Sequence, residues 1–284
     1  MPASPCCPDG PKPVAPPEGY VASGREISVG DCTCYEVGQA SGGPAVLLVS
    51  DVFGWHSGRT RQICDRVADA GFHVLLPNFF ECDGWDHSKP LMGYATPWYF
   101  LKHLLYYKWA CDDHQQRSCL ANLSWKYAFN VLFMCATPRF VKPSIQDHLL
   151  PYLSASGKKV GVMGFCWGGW ITIRSCSLPG VACGVAMHPT MNMEGFHGGS
   201  AHEAYSEVQA PLMCLAAGSD PDEVKPGGPL DASMQRGQKL LEIHEFKEMK
   251  HGWFPRGDVS DAQVKQGVAL AYDMALKFLN EHLR

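Results

Sequence analysis

Short apolar runs, broken by glycine, proline and charge, divide this chain into alternating strands and helices. Pro44-Ala45-Val46-Leu47-Leu48-Val49-Ser50 is brief and continuously apolar, the pattern of a strand covered on both faces. From Thr60 to Ala70 the apolar positions Ile63, Val67 and Ala70 recur at helical spacing, and Gly71 ends the segment. Phe72-His73-Val74-Leu75-Leu76-Pro77 is the next strand. Strand, helix and strand together make the repeating unit of a doubly wound sheet. Upstream, Arg25 to Val37 alternates loosely and predicts one or two antiparallel strands.

The same rhythm returns downstream. Ser144 to Ala155 predicts an amphipathic helix, and Val160, Val162 and Met163 predict a buried strand. Val181 to Met187, Pro211 to Gly218 and Glu242 to Phe246 predict three more strands. A helix is expected around Ser233 to Leu241. Asp261 to Leu283 predicts a long terminal helix with Val264, Val268, Tyr272, Ala275, Leu276 and Leu279 on one side. Residues 78–143 interrupt this rhythm with a high density of aromatic residues and two helical stretches, Pro97 to Trp109 and Leu120 to Cys135. Their aromatics are expected to pack helices onto the sheet; the alternative is that one end overhangs the active site as a lid. The fold class is α/β: a mostly parallel, doubly wound sheet with helices on both faces. A single domain is expected over 21–284, preceded by a proline-rich tail over 1–20.

Composition narrows the function classes. A net charge of -4 gives no reason to expect nucleic acid or an anionic membrane as partner. No run of 18 apolar residues suggests a membrane span, and the start of the chain lacks a secretory or transit pattern. Thirteen cysteines occur singly or in close pairs such as Cys6-Cys7, without a C-x-x-C. They read as reduced thiols, so a cytoplasmic protein without a bound metal is expected.

Candidate chemistry concentrates at Gly164-Phe165-Cys166-Trp167-Gly168-Gly169, between a predicted strand and the start of a helix. G-x-C-x-G is the nucleophile-elbow pattern, with cysteine where serine is more usual. A nucleophilic thiol needs a base, and the base needs an orienting carboxylate. Asp220 and His251 each follow a predicted strand, at the edge where such sheets carry their sites. Cys166, Asp220 and His251 also stand in the chain order of the α/β-hydrolase fold. Asp222 rivals Asp220. His188, also at a strand end, rivals His251 and is otherwise a pocket or core residue.

These motifs, with Asp51-Val52-Phe53-Gly54 and His251-Gly252-Trp253, resemble the dienelactone hydrolase family, also called carboxymethylenebutenolidases. The resemblance covers about residues 25 to 284 and is nearer to the eukaryotic branch. It implies that Cys166 attacks a small lactone or ester, with His251 as base and Asp220 orienting it. It implies an oxyanion hole from the backbone N–H groups of Val52 and Trp167, and no cofactor. Asp51 takes the place of a thiol-tuning glutamate, and Arg256 matches an arginine that binds a substrate carboxylate. Phe53, Trp55, His188 and Trp253 complete the expected pocket. A monomer or homodimer acting on a small molecule is expected. The alternatives are a slow, ligand-binding protein on the same fold and a relative acting on other acyl or glycan substrates.

Overall fold

The computed structural model describes residues 15–30, 32–40, 43–79, 141–155, 157–196 and 199–284. Within them, eight strands form one sheet. They are β1 (Arg25–Val29), β2 (Cys32–Val37), β3 (Ala45–Val49), β4 (His73–Pro77), β5 (Val160–Phe165), β6 (Val181–Met187), β7 (Leu212–Ala217) and β8 (Leu241–Phe246). Their spatial order is β1-β2-β4-β3-β5-β6-β7-β8. β2 is antiparallel to β1 and to β4, and the strands from β4 to β8 run parallel. This is the expected doubly wound sheet, with the early hairpin as its antiparallel edge.

The central strands are apolar without alternation because both sheet faces are covered, as parallel sheets require. The period of two survives in the destination of each side chain. Ala45, Leu47 and Val49 of β3, with Val160 and Val162 of β5, face one core layer. Val46, Leu48, Met163 and Phe165 face the other. The first layer is closed by α2 (Leu150–Ser154), α3 (Trp167–Ser175), α5 (Ala201–Glu207) and α6 (Pro229–Arg236). The short α4 (Met193–Phe196) lies between α3 and α5 in the chain. The second layer is closed by α1 (Thr60–Asp69) and α8 (Ala262–Leu283), the latter through Val268, Tyr272, Ala275 and Leu279. α7 (Trp253–Arg256) is a single turn that sits before α8.

Most predicted elements stand within a residue or two of their sequence boundaries. The helix expected around Ser233 to Leu241 instead runs from Pro229 to Arg236. Pro229 fits the first helical turn, where its missing N–H costs nothing, and Gly237 ends the helix. α4 and α5 have too few apolar positions to announce themselves in the sequence. Residues 1–14, the Cys6-Cys7 pair, most of the aromatic stretch and both helices expected in it lie outside the described residues.

Candidate active site

The carboxyl edge of the parallel strands carries the candidate chemistry. Cys166 joins β5 to α3 with φ 57° and ψ −116°, a left-handed conformation that a side chain adopts only when its surroundings enforce it. The neighbouring glycines permit it. A Cβ on Gly164 would collide with the carbonyl oxygen of Gly168, and one on Gly168 would collide with those of Val49 and Ser50. The elbow is therefore pressed against the end of β3, with Cys166 fully buried.

β7 and β8 deliver the other two groups. Asp220 lies just past β7, where its Oδ2 accepts a hydrogen bond from the Ala217 N–H at 2.7 Å. Its Oδ1 meets His251 Nδ1 at 2.6 Å. His251 is anchored after β8 by its own backbone N–H, which donates to Ser219 Oγ at 2.8 Å. Both side chains are buried, so this contact is shielded from water. Asp222 points elsewhere. Its side chain is 99% exposed and pairs with Lys225.

His188 is not joined to either aspartate; it links the elbow to His251. Its Nδ1 accepts the Cys166 backbone N–H at 3.1 Å, and its ring lies edge-on to the His251 ring, with centroids 4.8 Å apart. Its own N–H donates to the Leu215 carbonyl at 2.8 Å, and its φ of 39° is again left-handed. Burial, then the neighbouring His251 charge, holds its pKa well below the ordinary histidine range. His188 is thus a neutral ring that accepts at Nδ1.

The loop after β3 supplies a buried ion pair. Asp51 Oδ2 accepts from Arg256 Nε at 2.7 Å, and Asp51 Oδ1 accepts from the Phe53 N–H at 2.9 Å. Neither charged side chain is exposed. Burial raises the Asp51 carboxyl to about 6, Arg256 opposes that rise, and the nearby Cys166 charge adds to it. The Arg256 guanidinium also lies 4.5 Å from the centroid of the Phe53 ring. The arginine matched to a substrate carboxylate is therefore already engaged by Asp51.

The remaining candidates divide between the two layers. Trp167 shares the Cys166 layer, packs on Phe79 and Trp170, and has Val52 against the same cluster. Trp55 and Trp253 belong to the opposite layer. Trp55 lies under the Arg61 guanidinium, and Trp253 packs on Phe246 and Phe254. No described contact joins either tryptophan to Cys166, Asp220 or His251. Thr190 does touch the thiol and was not singled out in the sequence: its Oγ1 donates to Cys166 Sγ at 3.4 Å. Its only signal there is that it lies two residues beyond His188. Among the described residues, no group of three or more His, Cys, Asp and Glu side chains is placed to hold a metal ion, and no helix is long and apolar enough to cross a membrane.

The dienelactone hydrolase family model matches residues 33–283. The chain belongs to the dienelactone hydrolase family. As a member, it is an ester- or lactone-hydrolase of the α/β-hydrolase fold. It is 24% identical over 292 residues to the hydrolase tropI of Talaromyces stipitatus, covering 100% of this chain and 98% of that protein. It is 25% identical over 173 residues to the carboxymethylenebutenolidase homolog of Rattus norvegicus, covering 60% of this chain and 56% of that protein. A dienelactone hydrolase-like promiscuous phosphotriesterase from metagenomic libraries shares the fold. It superposes with a TM-score of 0.56 at 15% identity, covering 92% of this chain and 99% of that one.

Proposed function

We propose that residues 21–284 form one hydrolase domain that cleaves a small lactone or ester through an acyl-enzyme on Cys166. The observation that carries this is the strained Cys166 elbow at the same sheet edge as the 2.6 Å His251–Asp220 pair, with His188 touching both. His251 takes the thiol proton, and Sγ attacks the acyl carbon. The backbone N–H groups of Trp167 and Val52 hold the oxyanion, as the elbow geometry favours. His251 returns the proton to the departing oxygen, which in a lactone stays tethered to the acyl group. A water then attacks the thioester with His251 as base, and Cys166 leaves as the thiolate. Asp220 fixes the Nδ1–H tautomer of His251 and stabilises its cation.

The Asp51–Arg256 pair bears on substrate class. A substrate carboxylate has to compete with Asp51 for a guanidinium that is fully buried, so a neutral ester or lactone suits this site better. Asp51 lies close enough to act on the thiol electrostatically, which supports a tuning role.

The test is hydrolysis of p-nitrophenyl acetate and a dienelactone by wild type, Cys166→Ala and His251→Ala. Each substitution is expected to lower kcat by about 10³-fold or more, because members of a triad act as a unit. Turnover that survives in both variants contradicts the assignment.

A further inference from the structure

The segment His188-Pro189-Thr190, which follows β6, closes around the elbow. Cys166 donates its N–H to His188 Nδ1 at 3.1 Å and to the Met187 carbonyl at 3.0 Å. In return, the Thr190 N–H donates to the Cys166 carbonyl at 3.1 Å. Pro189 packs on Gly169 so closely that a Cβ there would lie 2.9 Å from the proline Cα. Between these fixed backbones the Thr190 side chain is buried, and its hydroxyl donates to Cys166 Sγ at 3.4 Å.

We propose that Thr190 is a catalytic residue of this site, its hydroxyl stabilising the Cys166 thiolate both when it attacks and when it leaves. The proposal rests on the reading of Cys166 as nucleophile. In the attack, the thiol proton goes to His251, the sulfur electron pair goes to the acyl carbon, and Thr190 keeps its own proton. In deacylation, the sulfur recovers its electron pair in front of the same hydroxyl.

The surroundings give that hydroxyl something to do. Asp51 beyond β3 and His188 beyond β6 both interact electrostatically with the thiol, and His251 beyond β8, paired with Asp220 beyond β7, lies against the His188 ring. Arg256 of α7 stands behind Asp51. Asp51 is anionic when ionised and disfavours a second negative charge beside it. Arg256 is spent on Asp51, and His188, accepting at Nδ1, is neutral. Facing the thiolate are the His251 cation, the α3 N-terminus and the Thr190 hydroxyl. The charge on His251 comes and goes during turnover, whereas the hydroxyl keeps its proton through every step.

The test follows the rate of Cys166 alkylation by iodoacetamide against pH in the full chain, read by peptide mass spectrometry. Wild type is compared with Thr190→Val, Thr190→Ala and Thr190→Ser. Loss of a hydrogen bond to a charged group is expected to move the half-maximal pH up by about one unit in the valine and alanine variants. At pH 7, kcat/KM for p-nitrophenyl acetate falls about tenfold in the same two variants, and serine restores both readouts. Alanine keeps the test open should valine fail to fold. An unshifted profile in the valine or alanine variant, or a serine variant that does not recover, overturns the proposal while leaving Cys166 as nucleophile. Wild-type hydrolysis by Cys166→Ala instead removes the reading on which the proposal rests.

Discussion

At the scale of single residues, the distinction between Asp220 and Asp222 is the sharpest test of the triad. Asp220 holds His251 Nδ1 in a buried contact, whereas Asp222 is in water with Lys225. Asp220→Asn keeps the shape but favours the wrong histidine tautomer. It is expected to lower kcat by roughly 10²–10⁴-fold, and Asp222→Asn to change it less than about twofold. Steady-state kinetics on one ester, with circular dichroism to show that both variants fold, reads the difference. Equal losses in the two would contradict the role given to Asp220. Cys166, Asp220 and His251 could be picked out as candidates in the sequence because each follows a strand and their chain order matches that of the fold. Thr190 was not legible, since a hydroxyl bonded to a sulfur leaves no spacing rule. Nor was the Asp51–Arg256 pair, whose members are 205 positions apart. Trp55 and Trp253, each next to a site motif, pack in the core layer opposite that of Cys166.

At the scale of elements, the strand-elbow-helix unit depends on absent side chains. Gly168→Ala sets a Cβ against two backbone carbonyls that belong to β3 and its following loop, which have no slack. The elbow must then separate from β3. The variant is expected to lose several kcal/mol, about 3 or more, since overpacking of a fixed backbone is among the costlier single changes. Urea unfolding measures it, and a variant as stable as wild type would show that the elbow is looser than described. The hairpin β1–β2 is tied down by polar groups as well as by its buried apolar side chains. Tyr20, Ser23 and Tyr35 all donate to Asp65 of α1, and Arg25, His73 and Tyr152 converge on Glu36. The apolar strands β3 to β7 were read correctly from short hydrophobic runs. These two polar clusters, by contrast, join residues up to 116 apart, which no local pattern reveals. The start of α6 was missed because Gly227-Gly228-Pro229 reads as a loop, although Pro229 and Gly237 mark the ends of the helix.

At the scale of the whole molecule, two buried titrations act in opposite directions. Asp51 has a native pKa raised to about 6 from 3.8, so between those values the native state holds a proton that the unfolded chain has lost. Its contribution to stability is complete below pH 4 and is lost as the pH rises through 6, a change of about 3 kcal/mol. The stability of Asp51→Asn relative to wild type is therefore expected to rise between pH 4 and 6 and level off above. His188 works the other way. Its native pKa is depressed, so below pH 6.5 the unfolded chain takes up a proton that the buried ring refuses. Stability falls with acid by up to about 1.4 kcal/mol per pH unit, a slope that His188→Gln should flatten. Denaturant titrations across pH 4 to 8 separate the two. Coincident pH profiles for wild type and both variants would mean that neither group is as buried as described.

The catalytic expectations presuppose a covalent intermediate on one particular cysteine out of thirteen. Cys64, Cys176, Cys183 and Cys214 are buried, and burial raises the pKa of each, that of Cys183 to about 12. They are poor competitors as thiolates. The most direct measurement is acid quench of the enzyme during turnover of p-nitrophenyl acetate, followed by peptide mass spectrometry. One acetyl group on Cys166, absent from Cys166→Ala and accumulating in a His251 variant slow to deacylate, is the predicted result. An acetyl group on another residue, or turnover in which Cys166 is never acylated, would contradict the account.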